Sequence, residues 1–312
     1  MANIDAYKLV ALDDGNIHLL RGLYQKVFGK NYNLEQIRAK YKPEYTDIVA
    51  QGHFAFYKGE AIAFHGAIPM YMTQGGNREL CAQYGDAMTL KSHTGNGLFT
   101  KLGELTDELL IQKGVKFVWG FPNQNSEYGY VNKLHWSGEE RMQCFKIKLR
   151  SISKEQIFRR HQKLQKNYQI QLYKRLSPYR VKKSNLNSID LLQYGGIERS
   201  DDFYKYKSFT PNYFLSIKGN KVWIKPKGGL LIGDMEIKSE QSVLQCIQEL
   251  ISLGKSIGLH QLVIQASPKS QICQILKKHH TPIDTWLIGY KNFDSNLDLE
   301  RLQFTYGDLD TF

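Results

Sequence analysis

The sequence predicts a mixed α/β protein, α+β with a mixed sheet in each half, organised as two domains of similar plan. Three observations predict it. At 312 residues the chain exceeds what one hydrophobic core comfortably organises. In the first half, two helical periods give way to alternating strand patterns and then to strand, helix, strand. A fainter version of that order recurs in the second half, without a glycine turn between strand and helix.

Asn16 to Phe28 places Ile17, Leu20, Leu23, Tyr24 and Val27 at helical spacing, and Asn33 to Tyr41 offers a second short helix. Gly52 to Tyr57, Ala61 to Gln74 and Arg78 to Leu90 then read as strands of an antiparallel meander. The turns Lys58-Gly59-Glu60 and Gly75-Gly76-Asn77 separate them. A glycine turn, a helix, a strand, an asparagine-led helix and a last strand, Gln143 to Leu149, complete the first half. In the second half Asp201 to Tyr206 begins a helix, and Tyr213 to Ser216 pairs with Lys221 to Lys225 across Gly219-Asn220. Gly229 to Ile237 is a strand, Ser239 to Gly258 an amphipathic helix and Gln261 to Gln265 an apolar strand. A helix, Gln271 to Lys278, and a strand, Trp286 to Tyr290, close the set.

The most informative stretch runs from Gly85 to Trp136. A strand that ends in Gly-x-Gly and runs straight into a helix gathers unpaired backbone N–H groups and the positive end of a helix dipole, which suits a pyrophosphate. Gly95-Asn96-Gly97-Leu98-Phe99-Thr100 fits neither the dinucleotide fingerprint nor the Walker loop. It resembles the acyl-CoA loop of the GNAT N-acetyltransferases, [QR]-x-x-G-x-[GA]. Thr94 stands in the Arg/Gln place and Phe99 where Gly or Ala is usual. The flanks Gly85-Asp86-Ala87-Met88-Thr89, Gly120-Phe121-Pro122-Asn123 and Lys133-Leu134-His135-Trp136 extend the resemblance, with His135 where the family has Gly. The resemblance implies two tandem GNAT-like (acyl-CoA N-acyltransferase) domains, similar to tandem bacterial acyltransferases of the polysaccharide-associated and enhanced-intracellular-survival kinds. Residues 1–150 would form the acetyl-CoA-binding domain, 151–186 a basic connecting segment, and 187–312 a second, degenerate domain whose helix begins at Lys238-Ser239-Glu240-Gln241 with no cofactor loop.

The same resemblance implies cofactor-binding roles. The backbone at Met88 and Thr89 would hold the pantetheine arm of acetyl-CoA, and Thr94, Gly95, Asn96, Gly97, Leu98 and Phe99 its pyrophosphate. Asn123 and Asn125 would face the cofactor or cap the next helix. The family's proton-donating Tyr falls on Val131 when aligned on Lys133, which leaves Tyr130 and Tyr128 as substitutes. For a general base, Asp86 is best placed, on a core strand where an acid costs free energy unless paired. A structural, hydrogen-bonded Asp reads equally well there. His65 is the second candidate, or a packing residue.

From Arg141 to Asn185 there are fourteen basic residues and one acid, Glu155, so this segment carries the whole excess charge of a chain whose net charge is +12. It includes Lys154, Arg159, Arg160, Lys174, Arg175 and Lys183, and Ile152, Ile157, Phe158 and Leu164 give it an amphipathic helical period. Nucleic acid, an anionic membrane surface, a phosphorylated substrate or plain solvation would each account for it. No apolar run is long enough to span a membrane and Met1 to Val10 lacks the plan of a signal peptide, so a soluble, cytoplasmic protein is expected. Cys81, Cys144, Cys246 and Cys273 lack metal or redox spacing and read as reduced core residues; no metal is expected.

These observations favour an acetyl-CoA-dependent N-acetyltransferase acting on a primary amine, such as that of a nucleotide-linked amino sugar. The alternatives are a tRNA-dependent aminoacyl transferase, also built from tandem GNAT-like domains, and a non-catalytic binding module that kept the fold.

Overall fold

The structure is a computed structural model and describes residues 4–150, 153–158, 161–182 and 186–312. Ile152, Arg159, Arg160 and Lys183 of the basic segment lie outside the described residues. Along the chain run β1 (Lys8–Ala11), α1 (Leu20–Phe28), α2 (Leu34–Tyr41), β2 (Gln51–Tyr57), β3 (Glu60–Gln74), β4 (Asn77–Thr89), α3 (Leu98–Gln112), β5 (Phe117–Gly120), α4 (Glu127–Lys133) and β6 (Arg141–Lys148). They continue with α5 (Lys154–Phe158), α6 (Gln162–Leu176), β7 (Gly196–Ile197), α7 (Asp201–Tyr206), β8 (Tyr213–Ile217), β9 (Asn220–Pro226), β10 (Leu230–Met235), α8 (Glu240–Ser256), β11 (Gln261–Ala266), α9 (Gln271–Lys277), β12 (Ile283–Leu287) and β13 (Gly289–Asn292). None of the described helices is long and apolar enough to cross a membrane.

Two compact units result. The first holds Met1–Glu139, Lys205–Phe209 and Trp286–Leu302; the second holds Glu140–Tyr204, Thr210–Thr285 and Gln303–Phe312. The first sheet runs β1-β2-β3-β4-β5-β13, antiparallel except for β4 beside β5. The second runs β12-β6-β11-β10-β9-β8, with β10 beside β11 parallel. Gln143 to Leu149, read as the strand that closes the first domain, lies instead in the second sheet, where Gln143 pairs with Ala266 and Lys148 with Gln261. Conversely the C-terminal half supplies β13 to the first sheet, with Tyr290 opposite Trp119. Each parallel strand thus takes its outer neighbour from the other half of the chain. Strand pairing is non-local, so no residue in either strand announces this exchange.

In the first unit the two sheet faces carry different helices. Gly66 of β3 lies against Tyr41 of α2, whereas the preceding His65 meets Phe99 of α3 and Tyr130 of α4, as the period of two requires. Leu98, Leu102 and Leu110 give α3 its buried stripe. Gly103 lets α4 approach: a Cβ there would stand 2.7 Å from a Leu134 methyl. In the second unit α8 covers the sheet through Val243, Cys246, Ile247 and Leu250. The basic segment is not a bare connector: α6 buries Tyr168, Leu172 and Leu176, the last two within this unit's core. All four cysteines are buried and unlinked.

Candidate active site

β4 and β5 pair through Cys81 and Phe117, Ala82 and Val118, Gln83 and Trp119. Past these, β5 ends at Gly120 while β4 continues to Thr89 with β3 as its partner. Met88 and Thr89 therefore lie on a strand whose other edge has no ladder to β5 among the described residues, so their backbone groups there are open to another bonding chain. Their side chains point elsewhere: Met88 is buried opposite Phe64.

An extra residue bends β4 at this place. Phe64 faces Met88 and Gly66 faces Gly85, so the single His65 opposes both Asp86 and Ala87. Asp86 takes up the distortion with a left-handed φ of 59°.

Beyond Thr89 the chain makes a short turn over Lys91–His93 and enters α3 through Gly95 and Gly97, whose φ values are 82° and 76°. No side chain caps the first turn of α3, so its leading N–H groups face outward, and a Cβ on Gly95 would meet nothing within 4 Å. The backbone donors of this cradle therefore have no side-chain acceptor within the described chain. Leu98 and Phe99 contribute only backbone to it, because Leu98 packs into the core beside Ile62 and Leu102. Phe99 turns its ring onto Gly129 and Tyr130, where a Gly129 Cβ would stand 2.6 Å from the ring. Thr94 donates its hydroxyl proton to the Lys91 carbonyl (2.9 Å) and Asn96 its amide to the His93 carbonyl (3.2 Å), so both brace the turn.

Asn123 and Asn125 are exposed ahead of α4. Asn123 Oδ1 accepts the Asn125 N–H (2.9 Å) and its carbonyl accepts from Ser126 and Glu127, an Asx turn ahead of α4, whose first turn has no side-chain cap. Tyr128 is 65% exposed. Tyr130 is buried, its hydroxyl 3.1 Å from His65 Nε2, within rings of Tyr84, Phe99 and Trp136. The structure thus joins two of the sequence candidates, His65 and Tyr130, and leaves Tyr128 apart.

Burial, seconded by the charge of His53, pushes His65 down from 6.5 to about 3, and its Nδ1 has no partner among the described residues. It is therefore neutral when folded, while the unfolded chain takes a proton below pH 6.5. Stability from this group is complete above about pH 6.5 and is lost as pH falls toward 3, with the folding equilibrium dropping roughly tenfold per pH unit. Denaturant titrations at stepped pH should show this slope, and His65→Gln should flatten it.

Asp86 is buried and accepts hydrogen bonds from Lys40, Tyr24 and Tyr41, the last at 2.8 Å. Burial alone would raise its pKa, but the Lys40 charge and these bonds outweigh it and hold the carboxyl below its usual range. A general base needs the opposite shift. The second unit repeats the arrangement. β10 carries Gly233-Asp234 beside its own parallel partner, with an extra residue between Ile232 and Asp234. Arg199 and Ser188 donate to the Asp234 carboxylate, and Arg199 also holds Asp308 at 2.7 Å. There burial, helped by the charge of Asp308, keeps Asp234 raised, because two carboxylates share one cation. Yet α8 begins with a Ser239–Ser242 capping box that satisfies its first N–H groups, so this unit has no cradle. A bulge next to a Gly-Asp pair, its carboxylate bound by a cation, thus occurs in both units, at Asp86-Ala87 in β4 and at Gly233 in β10.

Sequence reasoning missed the partners. Lys40, Tyr24 and Tyr41 come from helices far along the chain, and so does the Tyr84–Asp107–Lys291 network, in which Asp107 bonds Tyr84 at 2.6 Å and Lys291 at 2.7 Å. One signal was available: Tyr84-Gly85-Asp86-Ala87-Met88 against Ile232-Gly233-Asp234-Met235. His135 has a left-handed φ of 58°, a conformation glycine adopts without strain.

A strand with a bulge, an opened parallel pair and a glycine-led helix are now on one sheet. Residues 10–137 match the acetyltransferase (GNAT) domain. No curated protein matches the chain. Among solved structures the chain is similar to a conserved protein of unknown function from Enterococcus faecalis V583, with TM-score 0.60 at 10% identity over 92% of this chain and 72% of that one. A GCN5-related N-acetyltransferase from Anabaena variabilis gives TM-score 0.57 at 13% identity, again over 92% and 72%. A fungal glucosamine N-acetyltransferase region, within a multi-domain GH3 β-N-acetylglucosaminidase, gives 0.53 at 9% identity over 91% of this chain and 38% of that one. At such identities the likeness shows the fold. The matched stretch contains every candidate site residue named above, from His65 to Tyr130.

Proposed function

We propose that the GNAT domain binds acetyl-CoA and passes its acetyl group directly to a primary amine, on an acceptor of the nucleotide-linked amino-sugar class. The carrying observation is the uncapped, doubly left-handed glycine turn at the start of α3, beside a β4 edge free of β5. Bound acetyl-CoA would supply the activated thioester. The first N–H groups of α3 would hold its pyrophosphate and the backbone of Met88 and Thr89 its pantetheine arm. The neutral acceptor nitrogen forms a bond to the carbonyl carbon, the carbon–sulfur bond breaks, the nitrogen releases one proton to solvent, and the thiolate takes one proton from the donor, which solvent reprotonates. Tyr130, fixed by His65, is the donor this reading favours over the exposed Tyr128. Asp86 acts by fixing the bulge that shapes the β4 edge, and not as the base. The amino-sugar class has only the family analogy and the fungal region's named acceptor behind it.

One observation favours a second reading, a non-catalytic module: the Phe99 ring packs against Gly129 and meets Tyr130 edge to face, where the acyl-CoA loop pattern has Gly or Ala. Calorimetry with acetyl-CoA on the wild type and Phe99→Ala separates the two. Wild-type binding, followed by thiol release with amino-sugar acceptors, supports transfer. Binding by Phe99→Ala alone, at least about tenfold tighter than wild type, makes the ring a plug and supports the module. Absence of binding in both sinks both readings.

A further inference from the structure

The second unit contains a cavity of about 510 Å³ between the end of α8 and the basic helices. Its floor is apolar, formed by the buried Tyr168, Leu172 and Ile257, and its rim carries Lys154, Lys174 and Arg175. Gln171 and Ser256 add neutral hydrogen-bonding groups, and no carboxylate lines it among the described residues. None of the three cations forms an ion pair among the described residues. Three like charges around one cavity, with no counter-charge among the described residues, favour an anion there.

A simpler account would have the cations capping the C-terminus of α8, but its carbonyls are already occupied. Leu253 accepts from Ile257, Gly254 from Leu259, and Lys255 from Gly258 and the Arg150 side chain. Lys154 is also held in place. Its N–H bonds the Gly258 carbonyl at 2.9 Å, and its methylenes lie over Gly258, where a Cβ would stand 2.5 Å from the chain. Gly258 has a φ of 78°, so the backbone favours glycine there as well.

We propose that this cavity is a binding site for a small diphosphate ester of nucleotide size. Two ammonium groups and one planar guanidinium match two phosphoryl groups. The apolar floor with the Tyr168 ring takes the organic part, and the volume lies within the range of ligand pockets. A concave site with a closed floor favours a small molecule over a nucleic-acid backbone, which needs an extended basic track. The inference is independent of acetyl transfer.

The test is calorimetry on the full chain at low salt without divalent metal, with ADP, inorganic pyrophosphate and adenosine as separate probes. Three proteins are compared: the wild type, the double variant Lys174→Glu/Arg175→Glu, and Gly95→Asp, which blocks the cradle of the first unit. ADP should still bind Gly95→Asp, where only the second-unit site remains, the wild type should show that site whether or not its cradle adds another, and the double variant should lose that site by at least about tenfold. Adenosine should bind far less than ADP. The altered residues are exposed, so an unchanged melting curve shows that the double variant folds. Loss of ADP binding in Gly95→Asp with retention in the double variant would place the site in the first unit and overturn the proposal. So would pyrophosphate binding as well as ADP, which is an adventitious ion only, no wild-type binding of ADP, or displacement of ADP by a short single-stranded RNA.

Discussion

Asp86→Ala is expected to destabilise the first unit by about 3–5 kcal/mol, the loss that follows when one partner of a buried ion pair is removed and the other stays. Lys40 would be left as a charge in an apolar setting, its side chain and that of Asp86 both being 9% exposed. Tyr24 and Tyr41 would lose their shared acceptor as well. Replacing both charges, as in Lys40→Met/Asp86→Leu, should recover most of that loss, because burying two apolar groups avoids desolvating two ions. Denaturant titration of the three proteins measures both effects. The pH dependence has a definite sign: the depressed carboxyl contributes stability that is present above about pH 4 and lost as pH falls through its folded pKa. A catalytic base would behave differently. It would lose turnover in the variant at unchanged stability, and that outcome would reverse the role assigned to Asp86.

Gly95→Asp is expected to weaken acetyl-CoA binding about a hundredfold with the fold intact. Two effects separate here by size. The left-handed backbone costs roughly 1–2 kcal/mol for an ordinary residue, less for Asp, whose side chain tolerates that region. The new carboxylate would project into open space at the cradle, where its repulsion of a diphosphate a few ångströms away amounts to several kcal/mol in a partly screened site. Gly59→Asp is the control, since Gly59 has a φ of 84° and equally open surroundings in the turn between β2 and β3. It should carry the strain alone and leave affinity unchanged. Calorimetric binding of acetyl-CoA to both variants decides it; equal losses in the two would mean that strain, and not charge at the cradle, is responsible.

Several parts of this protein were legible without coordinates because their causes are local. The strand–glycine–helix turn was visible from Gly95 and Gly97, since left-handed positions select glycine whatever surrounds them. The missing cradle of the second unit was visible at Ser239, whose cap satisfies the N–H groups a phosphate would need. His65 could be seen as a strand residue but not as a neutral partner of Tyr130, because that depends on which helix covers its face.

The sequence by itself determined most of the element order, the mixed α/β class and the glycine-led start of α3, all consequences of residue periods and backbone preferences acting within a few positions. Only the tertiary structure decided that β6 and β13 exchange sheets, that Lys40 pairs with Asp86, that Phe99 meets Tyr130 edge to face, and that three cations of the basic segment line one cavity. The reason is physical: these depend on strand pairing, burial and Coulomb energy between residues distant in the chain, and those quantities are set by spatial neighbours rather than by neighbours in sequence.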